Sequence, residues 1–155
     1  MLSVVRAAGG EHPLDESGEP ARWRTVASLG MRHGVPADAE QVPTLRHAAQ
    51  TFAADYTDLD TQRAVALAVT EACANVVRHA YPNRQPGMLT LTGQLDLTHL
   101  TFEITDHGVG LDHPTHEPSL GMGLAIMHSL ADTHITSNSH GTHVQLRFPR
   151  TVTPD

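Results

Sequence analysis

Residues 65–82 read VALAVTEACANVVRHAYP, and no other stretch limits the possible fold so strongly. Val65, Val69, Ala72, Val76 and Ala80 recur at helical spacing and form one apolar stripe. Pro82 cannot continue a helix, so the spacing predicts a helix that stops just before it. A second set, Glu71, Asn75 and His79, repeats every four residues and is expected to stack on the side opposite the stripe, with Arg78 flanking it. A carboxylate one turn from a carboxamide suits a hydrated Mg²⁺ and can take a proton. An ordinary solvated polar face has the same pattern, so this helix alone leaves both readings open.

The rest of the chain can build a core around that helix. Its 155 residues make one domain of ordinary size. They are 39% hydrophobic but only 4% aromatic, which predicts an interior of Leu, Val, Ala and Met. A net charge of −7 argues against a general nucleic-acid binder, which needs a basic footprint. No apolar run approaches a membrane span, and the single cysteine, Cys73, excludes an internal disulfide and fits a reducing cytoplasm. His113 and His116, with Asp112 and Glu117 close by, offer the donor types of a small metal cluster. Two prolines in the segment and no second ligand pair at zinc-finger spacing favour a solvated loop there.

In chain order, residues 1–24 mix Gly, Pro and charge and read as a mobile tail, with Trp23 where packing begins. Residues 25–33 are a first strand weakened by Gly30, and 34–43 a connector. Residues 44–56 place Leu45, Ala48, Ala49, Phe52 and Ala53 at helical spacing, with Thr44 near the N-cap. Residues 59–63 lead into the central helix, capped by Asp60 or Thr61. After Pro82, residues 88–97 and 100–105 alternate apolar and polar, which predicts an antiparallel hairpin turning at Thr98 and His99, with Leu89, Leu91, Leu95 and Leu97 on the core face. Residues 122–131 are a short helix, apolar on most sides and so expected to be buried. Residues 142–148 are a last strand with Val144, Leu146 and Phe148 facing inward. This order predicts an α/β sandwich of two layers, its sheet mixed but mostly antiparallel, with the helices on one face. The expected domain runs over 25–150, with 151–155 as a second tail.

The chemistry sits in the connections. Asp106 ends a strand and is followed by His107, Gly108, Val109 and Gly110. Two glycines there let backbone approach a ligand, and the carboxylate can accept the exocyclic amine of adenine. Taken alone, Asp-His-Gly is also a common turn. Ser119-Leu120-Gly121-Met122-Gly123-Leu124 puts glycines where a loop enters a helix, a place whose free N–H groups favour phosphate. Such glycines also serve helix entry with no ligand. Thr142 opens the last strand with a hydroxyl that can reach a base or its waters.

Four segments, EACANVVRHAYP, DHGVG, GMGLAIM and GTHVQLRF, resemble in order and rough spacing the boxes of the GHKL ATPase superfamily, which includes histidine-kinase catalytic domains, gyrase B and MutL. Within it the chain is most similar to the anti-sigma-factor serine/threonine kinases, the RsbW/SpoIIAB-like branch, over about residues 25–149. The resemblance implies ATP and Mg²⁺ as cofactors in a Bergerat-type ATP-binding fold. It implies Asn75 as Mg²⁺ ligand, Glu71 as general base toward an acceptor hydroxyl, and Asp106 as reader of adenine. Gly108 and Gly110 then make room for the nucleotide, Gly121, Met122, Gly123 and Leu124 form the phosphate-binding end of the lid, and Thr142 sits by the base. His79 is a further candidate for nucleotide contact, or a packing residue, whereas Tyr81 is structural. The implied activity is sequestration of a sigma factor and phosphorylation of an anti-anti-sigma (STAS-domain) partner. It would act in the cytoplasm as a homodimer, without direct contact to nucleic acid or membrane. The helix over 44–56, with Arg46, is the candidate partner surface. Two alternatives are an ATP-dependent sigma-sequestering protein with weak transfer and a stand-alone histidine-kinase-like ATPase domain. The segment 112–120, where many relatives carry a basic residue, has no Lys or Arg.

Overall fold

The central helix begins earlier than its apolar stripe suggests. In the computed structural model, which describes residues 29–84, 86–111 and 119–151, helix α2 spans Leu59–Asn75. Its cap is Asp58, two residues before the candidate Asp60 and three before Thr61, and the Asp58 carboxylate accepts the Thr61 N–H at 2.8 Å. Those bonds hold its pKa below the usual carboxylate range. At the other end the regular helix opens into a π turn over Val76–Ala80, and the chain leaves before Pro82, as that residue requires.

Helix α1 (Val42–Ala53) starts two residues before the expected Thr44 and ends before Tyr56. Gln41 at its N-cap makes no side-chain bond; Pro43, whose missing N–H costs nothing in a first turn, sets the start instead. Leu45, Ala49 and Ala53 are its buried face, packed on α2. Of the expected connector over 34–43, residues 34–36 belong to strand β1 (Leu29–Pro36) and Ala39–Gln41 form a 3-10 turn.

The sheet is built from β1, β2 (Met88–Leu95), β3 (His99–Asp106), β4 (Asp132–Asn138) and β5 (Gly141–Pro149), in the order β1-β2-β3-β5-β4. Every pairing among the described residues is antiparallel, so the mixed component of the expected sheet does not appear. Strand β4 was not foreseen. It alternates only Thr133, Ile135 and Ser137 on its half-buried face, too little apolar signal to read as a strand. The hairpin between β2 and β3 turns one or two residues earlier than predicted. Asp96 accepts the Thr98 and His99 N–H groups at 2.7 Å each, which leaves Leu97 in the turn and 72% exposed rather than on the core face.

Helices α1, α2 and α3 (Ser119–Leu130) cover one face of this sheet. The core between the layers joins Val65, Val69, Ala72 and Val76 of the central helix region to Leu89, Leu91, Phe102, Ile104, Val144, Leu146 and Phe148 of the sheet, all buried. Phe52, Phe102 and Phe148 follow one another edge to face at 6.0 and 6.1 Å. The opposite sheet face is polar and includes the Glu103–His143 pair at 3.7 Å. Helix α3 is less enclosed than its composition implies: Met127 is fully buried, but Met122 is 71% exposed. Past β5, the Thr151 N–H donates to the Tyr56 carbonyl and the Thr151 hydroxyl accepts from the Asp58 N–H, so Thr151 is tied to the α1–α2 connection rather than belonging to a tail. The expected N-terminal tail, Trp23 and the His113/His116 segment lie outside the described residues.

Candidate functional site

The polar residues of the central helix do not face solvent opposite the stripe. At 100° per residue Asn75 and His79 fall beside it, and α3 and the ends of β3 and β5 close over them. Asn75 is 8% exposed and His79 6%, while Glu71 is half-buried. The π turn shares in this, because its wider last turn breaks the plain four-residue stacking expected for 75 and 79.

Beneath these residues lies a small pocket, partly open to solvent. Its walls are Ala72, Asn75, Val76, His79 and Ala80 from the central helix and its π turn, Asp106, Gly110 and Leu111 from the end of β3, Leu124 from α3, and Thr142 and Val144 from β5. The apolar walls suit a flat ring, and the few polar groups are placed to orient it. The pocket's enclosed part is about 20 Å³, room for one water.

Asp106 is the inner polar group. Its Oδ1 accepts the Gly108 N–H at 2.8 Å and the Thr142 N–H at 3.3 Å, which leaves Oδ2 for another donor. Burial raises its pKa above the usual carboxylate value, opposed by those two N–H groups and by His107. The loop after it is set by backbone contact. The Val109 N–H donates to the Ala80 carbonyl at 2.9 Å, and a methyl group on Gly108 would collide with that same carbonyl. Gly110 has φ +80°, and Gly141, at φ +136°, lies against the Asp106 carbonyl; both conformations need glycine. Tyr81 is structural, as expected: its hydroxyl donates to the Met88 carbonyl at 2.7 Å and accepts the His107 N–H at 3.0 Å.

The two glycines of the GMG box behave differently. Gly123 runs against α2, where an added Cβ would lie 3.1 Å from Glu71 Oε2 and 3.4 Å from Asn75 Oδ1. Gly121 has open space around it. Glu71, Asn75 and Gly123 therefore converge at the pocket's edge, with Asp106, Gly110, Leu124, Thr142 and His79 along its walls. Gly108 supports this from behind. Exposed Met122 is not among the lining residues, and exposed Arg78 faces a separate groove with Tyr81, Pro82 and Asn83. Unforeseen in the sequence were the apolar walls Leu111 and Val144 and the hydroxyl of Ser137, which accepts the Leu111 N–H at 2.7 Å and meets Thr142 Oγ1 at 3.1 Å. The alternation of Thr133, Ile135 and Ser137 before the Gly141 turn was the one signal for it.

An antiparallel five-stranded sheet with its helices on one face and such a pocket between the layers defines the α/β fold of the GHKL ATPases. Residues 35–148 match the model of the histidine kinase-like ATPase domain, and the chain belongs to that family. An anti-sigma F factor of Clostridium beijerinckii is 31% identical over 85 residues, 48% of this chain and 59% of that protein. The serine-protein kinase RsbW of Bacillus mycoides is 28% identical over 117 residues, 63% of this chain and 71% of that protein. The match thus spans less than two thirds of that anti-sigma F factor. Among solved structures, the RsbU and RsbW domains of a Mycobacterium tuberculosis protein align with TM-score 0.62 and 18% identity, over 81% of this chain and 33% of that one. The histidine kinase domain of a blue-light-activated kinase from Erythrobacter litoralis aligns with TM-score 0.53 and 20% identity, over 75% and 66%. No helix among the described residues is long and apolar enough to cross a membrane.

Proposed function

We propose that this chain is an ATP-dependent anti-sigma factor of the cytoplasm that phosphorylates a Ser or Thr of an anti-anti-sigma (STAS-type) partner. The observation that carries the reading is the convergence of Glu71 and Asn75 on Gly123, at the edge of a pocket whose inner end is the Asp106 carboxylate. A site that only held nucleotide would need Asn75 and Asp106 but no carboxylate beside the phosphates.

The chemistry follows from these positions. Adenine stacks between the apolar walls and gives an amine hydrogen to Asp106 Oδ2. The phosphates run out along α2 toward Gly123, which brings no side chain of its own against Glu71 and Asn75. Glu71 accepts the proton of the acceptor hydroxyl as its oxygen bonds to the γ-phosphorus; the bond to the bridging oxygen breaks and ADP leaves. Asn75 Oδ1, a hard oxygen donor, is the group that would hold a magnesium ion here. When bound, Mg²⁺ neutralises phosphate charge. Exposed Arg46 on α1 is the proposed partner contact, and a homodimer with a bound sigma factor is the proposed assembly.

The test compares parent and Glu71→Ala. The parent should bind MgATP well above MgGTP and move its γ-phosphate to the partner. Glu71→Ala should lower transfer about 10²–10⁴-fold with ATP affinity nearly unchanged. Asn75→Ala should lose MgATP binding. Equal transfer by parent and Glu71→Ala removes Glu71 from the mechanism. ATP binding without transfer to any cognate partner supports a sigma-sequestering binder instead.

A further inference from the structure

Strand β4 places a hydroxyl behind the pocket that none of the functional roles above uses. Ser137 pairs with Thr142 across the β4–β5 ladder, and their hydroxyl oxygens lie 3.1 Å apart. Ser137 Oγ also accepts the Leu111 N–H at 2.7 Å. Thr142 is 8% exposed and lines the pocket beside Asp106, whereas Ser137 does not line it. A backbone N–H, two hydroxyls and the pocket thus form one chain.

We infer that Ser137 is a specificity-positioning residue, which sets the direction of the Thr142 hydroxyl so that the pocket reads adenine rather than guanine. The inference rests on the proposed nucleotide site and adds to it the source of purine selectivity.

The argument is one of proton count. A serine hydroxyl has one hydrogen to give. The Leu111 N–H takes one lone pair of Ser137 Oγ; either hydroxyl can donate across the 3.1 Å gap, and we assign the donor to Ser137, whose hydrogen has no other acceptor among the described residues. The Thr142 hydrogen is then turned into the pocket, and bonds running in one sense along such a chain reinforce one another. Asp106 Oδ2 accepts and Thr142 donates, side by side. That pair matches adenine, whose Watson–Crick edge sets an amine donor beside the N1 acceptor. If the chain ran the other way, Thr142 would offer only lone pairs beside a carboxylate. Two adjacent acceptors match the N1–H and amine of guanine. The same heavy atoms therefore read opposite bases according to one proton, and Ser137 decides where it points.

The experiment titrates ATP and GTP, each with Mg²⁺, into the parent, Ser137→Ala and Ser137→Thr by calorimetry, alongside melting of the nucleotide-free proteins. Ser137→Ala frees the Thr142 hydroxyl to rotate, and the ATP-to-GTP affinity ratio should fall roughly 3- to 10-fold, the worth of one hydrogen bond. Ser137→Thr keeps a hydroxyl in a strand that accepts Thr, and should restore the ratio. Thr142→Val should lower the ratio as well, and adding Ser137→Ala to it should change little more. If Ser137→Ala weakens ATP and GTP by one common factor, or lowers the melting temperature with the ratio unchanged, Ser137 is only structural and the inference is overturned. A parent that binds neither nucleotide overturns the proposed function, and the inference with it. A selective parent whose ratio survives Ser137→Ala overturns the inference alone.

Discussion

The two ends of helix α2 are held by different means. Toward its start, Val65, Ala68 and Val69 are fully buried, and side chain meets side chain up to the Phe52–Phe102–Phe148 series on the sheet. Toward its end, backbone meets backbone: Gly108 lies on the Ala80 carbonyl, Gly110 against Asn138 and Gly141 on Asp106. The first region gains stability from filled volume. The second spends some of it, with a carboxylate whose pKa is raised by burial and a buried His79 Nε2 that has no hydrogen-bond partner among the described residues. The candidate site at this end depends on the packed end for its support.

The largest test of that contrast sets Phe102→Ala against Gly141→Ala. Removing a fully buried ring should cost about 3–5 kcal/mol in chemical denaturation. Adding one methyl at Gly141 should cost more than about 1 kcal/mol, because φ is +136° and the new carbon meets the Asp106 carbonyl. That variant should also lose nucleotide affinity, since the shift moves Asp106. If Gly141→Ala leaves both quantities intact, the close approach is not what shapes the pocket.

A finer test lies inside the GMG box. Gly121→Ala adds a methyl in open space on a helix and should stabilise α3 by up to about 1 kcal/mol with nucleotide binding retained. Gly123→Ala sets the same methyl against Glu71 and Asn75 and should weaken MgATP binding. Matching affinities for the two variants would mean that α3 does not press on those side chains.

The smallest effect is electrostatic, and its sign differs between the regions. Asp96, in the β2–β3 turn, has its pKa lowered from 3.8, first by the N–H groups of Thr98 and His99. Its stabilising contribution is present above 3.8 and is lost as pH falls through the lower folded value. Asp106 has its pKa raised, first by burial, so its contribution is present below 3.8 and is lost as pH rises through the higher folded value. Near neutral pH, Asp96→Asn should therefore melt below the parent and Asp106→Asn, without nucleotide, above it, with both differences shrinking in strong acid. Melting curves from pH 3 to pH 7 read this directly, and two shifts of the same sign would refute it.

The fold was legible wherever burial leaves a period in the chain. The stripe Val65–Val69–Ala72–Val76–Ala80 and the alternation of Leu100, Phe102 and Ile104 are local records of one buried face, and both are buried. Strand β4 left too little of that record to be read. Boundaries moved where capping chose among near-equal neighbours, as when Asp58 rather than Asp60 or Thr61 closed α2.

By itself, then, the sequence determined the layers, the apolar faces and the chemical types in the boxes, because each depends on near neighbours along the chain. Tertiary structure alone decided which of those groups meet. It buried Asn75 and His79 beside the stripe, turned Arg78 to another groove, set Gly123 rather than Gly121 against Glu71, and brought Ser137 within reach of Leu111 and Thr142. The reason is that periodicity records how a residue stands to its own element. Distance to a residue thirty positions away depends on how the layers close, and no local pattern in the chain carries that distance.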